Sequence, residues 1–281
     1  MASRKIQKSR SGSYLISLPK SWAEEADLKK GDRVKIRKEE DGSLSLLVSE
    51  ERSKINHKLV LEDFKSVHSL QDTIKACYMQ GAETISVVSE DGTITEVKEK
   101  LRPIVLDLIG SEIYKDRPDK IVFRVLVDPT KFSMQNLIER VHSLISSVFQ
   151  HALDALKSNN PEIASDSSQR GEDAKRLYRL MIRETKLANI DKEIASAIGI
   201  ENKGEILVFT IAARGLSRMA HHTVEFASLI SEFCEKLSQE DIQLVLEMSN
   251  TVQEMVDKSI KSLIEKKYQA GSRGSGPNER D

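Results

Sequence analysis

The period at which apolar residues recur changes along this chain, and that change decides what it can fold into. In the first 48 residues the period is two. Tyr14, Ile16 and Leu18 alternate with Ser13, Leu15 and Ser17; Val34 and Ile36 alternate with Arg33, Lys35 and Arg37; Leu44, Leu46 and Val48 alternate with Ser43 and Ser45. Period two is the mark of a half-buried strand. Pro19 presets the first turn of a short helix with Trp22, Ala23 and Ala26 on its apolar side, and Gly31 is its expected left-handed stop. Asp41-Gly42 is a two-residue hairpin signal. The expected order is strand, strand, short helix, strand, hairpin turn, strand.

From residue 131 the period lengthens to that of a helix. Asp128-Pro129 breaks the chain, and residues 132–157 carry Leu137, Val141, Leu144, Val148, Ala152 and Ala155. Asn159-Asn160-Pro161 turns it. A second helix is expected from Pro161 to Ala188, with Leu177, Leu180, Met181 and Leu187 inward and its Arg and Lys outward. A short piece over Lys192 to Ile198 follows. The third long helix, 204–233, carries Ile206, Phe209, Ala213, Leu216, Ala220, Val224, Ala227 and Ile230. The fourth, 238–267, carries Ile242, Val245, Met248, Val252, Met255, Ser259 and Leu263 as its apolar row. Short connections imply antiparallel neighbours, hence a bundle. The Gly/Ser-rich tail over 269–281 is expected to be disordered.

Residues 52–130 mix both periods. Strands are expected at Lys58–Leu61 and Thr84–Val88, and helices over 63–80 and 93–109, with Pro103 kinking or restarting the second. A closing hairpin, Glu112–Tyr114 and Ile121–Val127, should turn at Arg117-Pro118-Asp119. The order is βαβαββ. No phosphate-binding glycine pattern follows a strand here, and the segment is a spacer or a ligand-sensing unit.

Charge separates the ends. The whole chain carries −1, yet residues 1–48 hold 11 Lys and Arg against 7 Asp and Glu. Arg4, Lys5, Lys8 and Arg10 come with no acid among the first ten residues. Such asymmetry suggests that one end meets a polyanion. No apolar run approaches the roughly 20 residues of a membrane-spanning helix. No apolar segment follows the basic start, so a secretory signal is not expected and the protein is placed in the cytoplasm. Cys77 and Cys234 lie far apart in helical patterns and read as buried free thiols. Neither a catalytic Ser/His/Asp or Cys/His set nor HExxH is present, so no enzyme is expected.

About 48 residues of this kind bury little surface alone and leave strand edges open; two copies interleaving their hairpins solve both problems. The run Gly12-Ser13-Tyr14-Leu15-Ile16-Ser17-Leu18-Pro19-Lys20-Ser21-Trp22, then Asp27-Leu28-Lys29-Lys30-Gly31-Asp32-Arg33-Val34, resembles the AbrB/MazE/SpoVT swapped-hairpin family. Gly12-Ser13 departs from the commoner Gly-Gln. The resemblance implies a two-fold β-barrel dimer that binds duplex DNA through its basic N-terminal hairpin. Arg4, Lys8 and Arg10 would then be DNA contacts, with Lys5 and Lys20 on phosphates.

The helices of 132–235 resemble the phosphate-uptake regulator family PhoU. The matching stretches are Ala152-Leu153-Asp154-Ala155-Leu156, the acidic-then-basic run Glu172 to Arg183, and Ile211 to His222. A fusion of these two modules is known among archaeal regulators. In the family's third helix two acids four residues apart bind metal; here those positions are Ser217 and His221, and Lys175 stands where the second helix commonly has an acid. No cofactor is therefore expected. His221 is the remaining metal candidate, but adjacent His221 and His222 should point about 100° apart and not chelate together.

The sequence thus describes a multidomain α+β protein: residues 1–50 a DNA-binding homodimer module, 52–130 a small α/β element, and 131–268 a PhoU-like antiparallel bundle. The expected function is DNA-binding regulation of phosphate uptake. Expected partners are duplex DNA, a second copy, and phosphate transporter or sensor components, with no membrane insertion. The alternative is an antitoxin-like or transporter-adaptor interaction module without specific DNA binding.

Overall fold

A computed structural model describes residues 3–10, 12–38, 42–48, 54–90, 92–164 and 167–272. The chain divides after Ser53 into two compact units. Helices dominate a mixed α+β architecture.

The first unit holds two hairpins around a short helix. Strands β1 (Gln7–Lys8) and β2 (Tyr14–Leu15) pair antiparallel, Gln7 with Leu15 and Lys8 with Tyr14. Helix α1 (Lys20–Glu25) follows Pro19. Strands β3 (Lys35–Lys38) and β4 (Leu44–Leu47) pair antiparallel; Asp41 of their expected turn lies outside the described residues. The expected stop at Gly31 is corrected. Helix α1 ends at Glu25, and Asp27 takes the left-handed position with φ 47°. The Leu28 N–H donates to the Ala23 carbonyl at 2.9 Å and the Asp27 N–H to that of Glu24 at 3.1 Å. This is the paired-bond ending that saturates a helix's last carbonyls. Gly31, φ 103°, serves the next turn, where Asp32 bonds back to Lys29. In one chain the hairpins are separate two-stranded sheets, and no residue of 3–48 whose burial is described is buried.

The second unit begins with a four-stranded sheet of order β5-β6-β8-β7. Strand β5 (Asn56–Val60) runs parallel to β6 (Thr84–Val88), which pairs antiparallel with β8 (Lys120–Val125), as does β7 (Ser111–Arg117). A parallel neighbour demands a crossover, and helix α2 (Val67–Met79) supplies it. The helix starts later than the periodicity suggests because Ser66 caps it, accepting from the Ser69 N–H. Pro103 does restart the next helix: α3 (Thr95–Leu101) stops before it and α4 (Ile104–Asp107) follows. Leu70, Ile74, Tyr78, Ile85, Leu101 and Phe123 form this layer's core. At its rim the buried Lys98 ammonium donates to Asp116 at 2.6 Å and to the Arg117 carbonyl at 2.9 Å.

Among the described residues five α-helices complete the unit: α5 (Met134–Ser158), α6 (Ser167–Ile190), α7 (Lys192–Ala197), α8 (Lys203–Phe233) and α9 (Gln239–Ser272). Ser133, Asp191 and Asn202 cap α5, α7 and α8 through side-chain oxygens. Residues 134–145 of α5 share a core with 209–220 of α8, and 148–156 with 227–230, so these two run the same way. Helix α9 runs back along α5: Ile242 and Val245 meet the later half of α5, Ile260 and Leu263 the earlier half. Gly171 of α6 lies so close to α8 that a Cβ there would sit 2.6 Å from Val224.

Four expectations are corrected here. The second helix begins at Ser167, not Pro161. Asn159 ends α5 in the left-handed region, and the Glu162 N–H donates to the Asn160 side chain, which makes residues 161–164 a separate turn. Arg183 does not face outward: it is 2% exposed, with its guanidinium donating to the Tyr78 carbonyl at 3.0 Å and that of Ala82 at 2.8 Å. In α9 the inward row is Ile242, Leu246, Ser249, Gln253, Val256, Ile260 and Leu263, while Met248, Val252, Met255 and Ser259 are exposed. Finally, α9 continues to Ser272, so 269–272 are helical; the rest of the tail lies outside the described residues. Among the described residues no helix is long and apolar enough to cross a membrane.

Candidate nucleic-acid interface

Arg4, Lys5, Lys8 and Arg10 all stand exposed on the run that leads into and around the first hairpin. Its turn is closed by the Ser9 N–H on the Ser13 carbonyl at 2.8 Å and the Gly12 N–H on that of Ser9 at 3.1 Å. Gly12 holds φ 88° there. Lys8 in β1 lies opposite Tyr14 in β2, with its ammonium 5.9 Å from the ring centre. The turn thus projects Lys8 and Arg10 from one two-stranded ribbon, a shape that a major groove admits.

Lys20 is elsewhere. It opens α1 and reaches Glu24 one turn on, at 3.5 Å, with 89% of its side chain exposed. A surface pair of this kind holds its cation loosely. Lys30, Arg33 and Lys38 are also exposed in the same unit; their only signal in the sequence is the net charge of the segment.

In the bundle, His221, His222 and Glu225 form an exposed cluster whose candidate ligand atoms lie within 4.8 Å of one another. The His222 Nδ1 is 3.0 Å and the His221 Nε2 3.5 Å from the Glu225 carboxylate. The two imidazoles, expected to point about 100° apart and not to chelate together, both approach the one carboxylate. Their Cβ atoms do diverge, but each imidazole is long enough to bend back over Glu225, which sits three and four positions on. The chemistry is that of two nitrogens and one oxygen, a donor set that suits zinc or a similar divalent ion. Ser217 takes no part in it.

Residues 11–55 match the model of a family described as antidote-toxin recognition MazE, bacterial antitoxin. The match takes in β2, α1 and the β3–β4 hairpin; Arg4, Lys5, Lys8 and Arg10 precede it. No curated protein and no solved structure matches the chain.

Proposed function

We propose that this chain is a DNA-binding regulator whose first fifty residues become a closed swapped-hairpin barrel by pairing with a second copy. One observation carries the reading. Among the residues of 3–48 whose burial is described, none is buried within a single chain, while Ile6, Tyr14, Leu15, Ile16, Ile36 and Leu44 are each more than half exposed. Such a segment cannot offset its conformational entropy alone. Interleaving two copies covers those side chains, closes the strand edges and doubles the cationic hairpin. The match to the MazE antitoxin family supports this reading.

The barrel presents Arg4, Lys8 and Arg10 of both copies to the groove, with Lys5 and Lys20 on phosphates. Each phosphate contact releases condensed counterions and steepens the salt dependence of binding. The PhoU-like bundle senses a signal or binds transporter or sensor components in phosphate homeostasis, without catalysis and without a required metal. Fluorescence anisotropy of a promoter fragment across a salt series tests the first claim. Lys5→Ala, present twice per dimer, should flatten the slope of log K against log salt by about 2. Binding that is flat in salt, or unchanged in a chain lacking residues 1–48, removes the claim. Mapping DNA occupancy in high and low phosphate tests the second.

The family description favours one further reading, an antitoxin-like module whose partner is a toxin-type protein. Co-purification of such a protein with a chain that shifts no DNA would establish it instead.

A further inference from the structure

Helix α9 packs on its own bundle through one face and leaves a second apolar row uncovered. Leu244, Met248, Val252 and Met255 are 56%, 61%, 50% and 63% exposed. Their spacings of four, four and three residues keep them on one stripe of a helix about 17 Å long. Met248 and Val252 also line the mouth of a groove of about 410 Å³ between α5, α8 and α9, walled by Ile145, Phe149, Met219 and Phe226. The stripe and the groove make one continuous apolar surface, and exposed patches of that kind mark interaction sites.

The charges on α9 say what covers it. From Gln239 to Asp257 the helix carries five acids (Glu240, Asp241, Glu247, Glu254, Asp257) and no base; Lys258 and Lys261 follow. We infer that α9 pairs antiparallel with α9 of a second copy of this chain, about a two-fold axis crossing between Met248 and Val252. The stripe is centred there, so the two-fold lays Met248 of one copy on Val252 of the other. Glu240 and Lys258 are eighteen residues apart, about five full turns, and share one flank of the stripe. The same two-fold therefore sets each Glu240 beside the other copy's Lys258. A parallel pairing would oppose acids to acids. Methionine side chains adapt to irregular surfaces, and the partner helix roofs the groove. Covering Phe226 and Met219 as well carries the contact towards the roughly 800 Å² per partner of a standard interface. This pairing is independent of what residues 1–48 do.

Cross-linking in the full-length protein tests it. Cys77 and Cys234 are buried, so an introduced exposed cysteine dominates the reaction with a short bis-maleimide. Thr251→Cys lies beside the stripe near the two-fold; Asn250→Cys lies at the same height but on the far side of the helix. The expected result is a covalent dimer at least tenfold faster through Thr251→Cys than through Asn250→Cys. That contrast reads the face of α9, which pairing through the N-terminal unit would not set. Adding Met248→Glu and Val252→Glu should abolish the difference while circular dichroism is unchanged, since both positions are exposed. Lys258→Glu should slow the cross-link, and Glu240→Lys in the same chain should restore it. Equal rates at the two cysteines, or a rate insensitive to the glutamates, overturns the pairing and leaves the stripe to a different protein's helix.

Discussion

Arg183 reaches two carbonyls more than a hundred positions earlier in the chain, at the end of α2. A buried guanidinium is tolerable because those carbonyls are themselves fixed, and the Tyr78 phenol nearby donates to the Ile109 carbonyl at 2.9 Å. Burial holds that phenol protonated far above its usual range. Arg183→Met would take the guanidinium from both carbonyls, leaving that of Tyr78 the Gly81 N–H at 3.0 Å, and should lower the unfolding free energy by about 3 kcal/mol in urea titrations. Arg183→Lys should recover only part of it, since a point donor cannot replace the fork. The Lys98 ammonium beside Asp116, with Arg102 on the other carboxylate oxygen, holds the Asp116 carboxyl below its usual range. A depressed carboxylate contributes in full above its unfolded pKa and nothing once pH falls through its lowered one. Asp116→Asn should therefore destabilise at neutral pH and close most of its gap to the parent under acid conditions, as thermal melts across pH would record. Neither residue was legible in the sequence. An Arg in a helix reads as outward unless its acceptors are known, and these come from a different layer.

Elements were legible where their signals are local. Thr84–Val88 is a strand to the residue because alternation and a following turn both mark it. Pro118-Asp119 turns the hairpin because a proline there suits a turn and spoils a strand. Gly81, φ 90°, ends α2 as its position suggests, and a Cβ there would meet Leu187 at 2.7 Å. Gly81→Ala should cost about 2 kcal/mol from strain and overlap together, visible as faster amide exchange at the end of α2. Asp27→Val, forcing a branched side chain into the left-handed region at the end of α1, should weaken the first unit by about 1 kcal/mol. Where two apolar rows compete, sequence periodicity fails. Helix α9 carries both Ile242–Ser249–Val256 and Met248–Val252–Met255, and only the position of α5 and α8 decides which is buried.

At the scale of the molecule, the switch of period near residue 131 announced helices after strands, and the division after Ser53 adds that sheet layer and bundle belong to one unit. The order β5-β6-β8-β7 was not legible, because a sheet's strand order is a pairing between distant segments. The basic start was legible as charge, and the structure sets Lys8 on the first hairpin's strand and Arg10 in its turn, both exposed. Trp22, the chain's single tryptophan, sits in α1 and reports on the first unit alone. If the first unit pairs and binds DNA as proposed, its emission change on heating should shift to higher temperature as protein concentration rises, and again with duplex DNA. In a chain carrying Met248→Glu and Val252→Glu, whose α9 cannot pair, a concentration-independent Trp22 transition would contradict pairing through residues 1–50. The proposed pairing of the first unit also ties its output to gene dose. On that pairing, halving the number of chains under dilute conditions would cut the number of assembled barrels about fourfold by mass action, so whatever the barrel binds would answer to copy number more than proportionally.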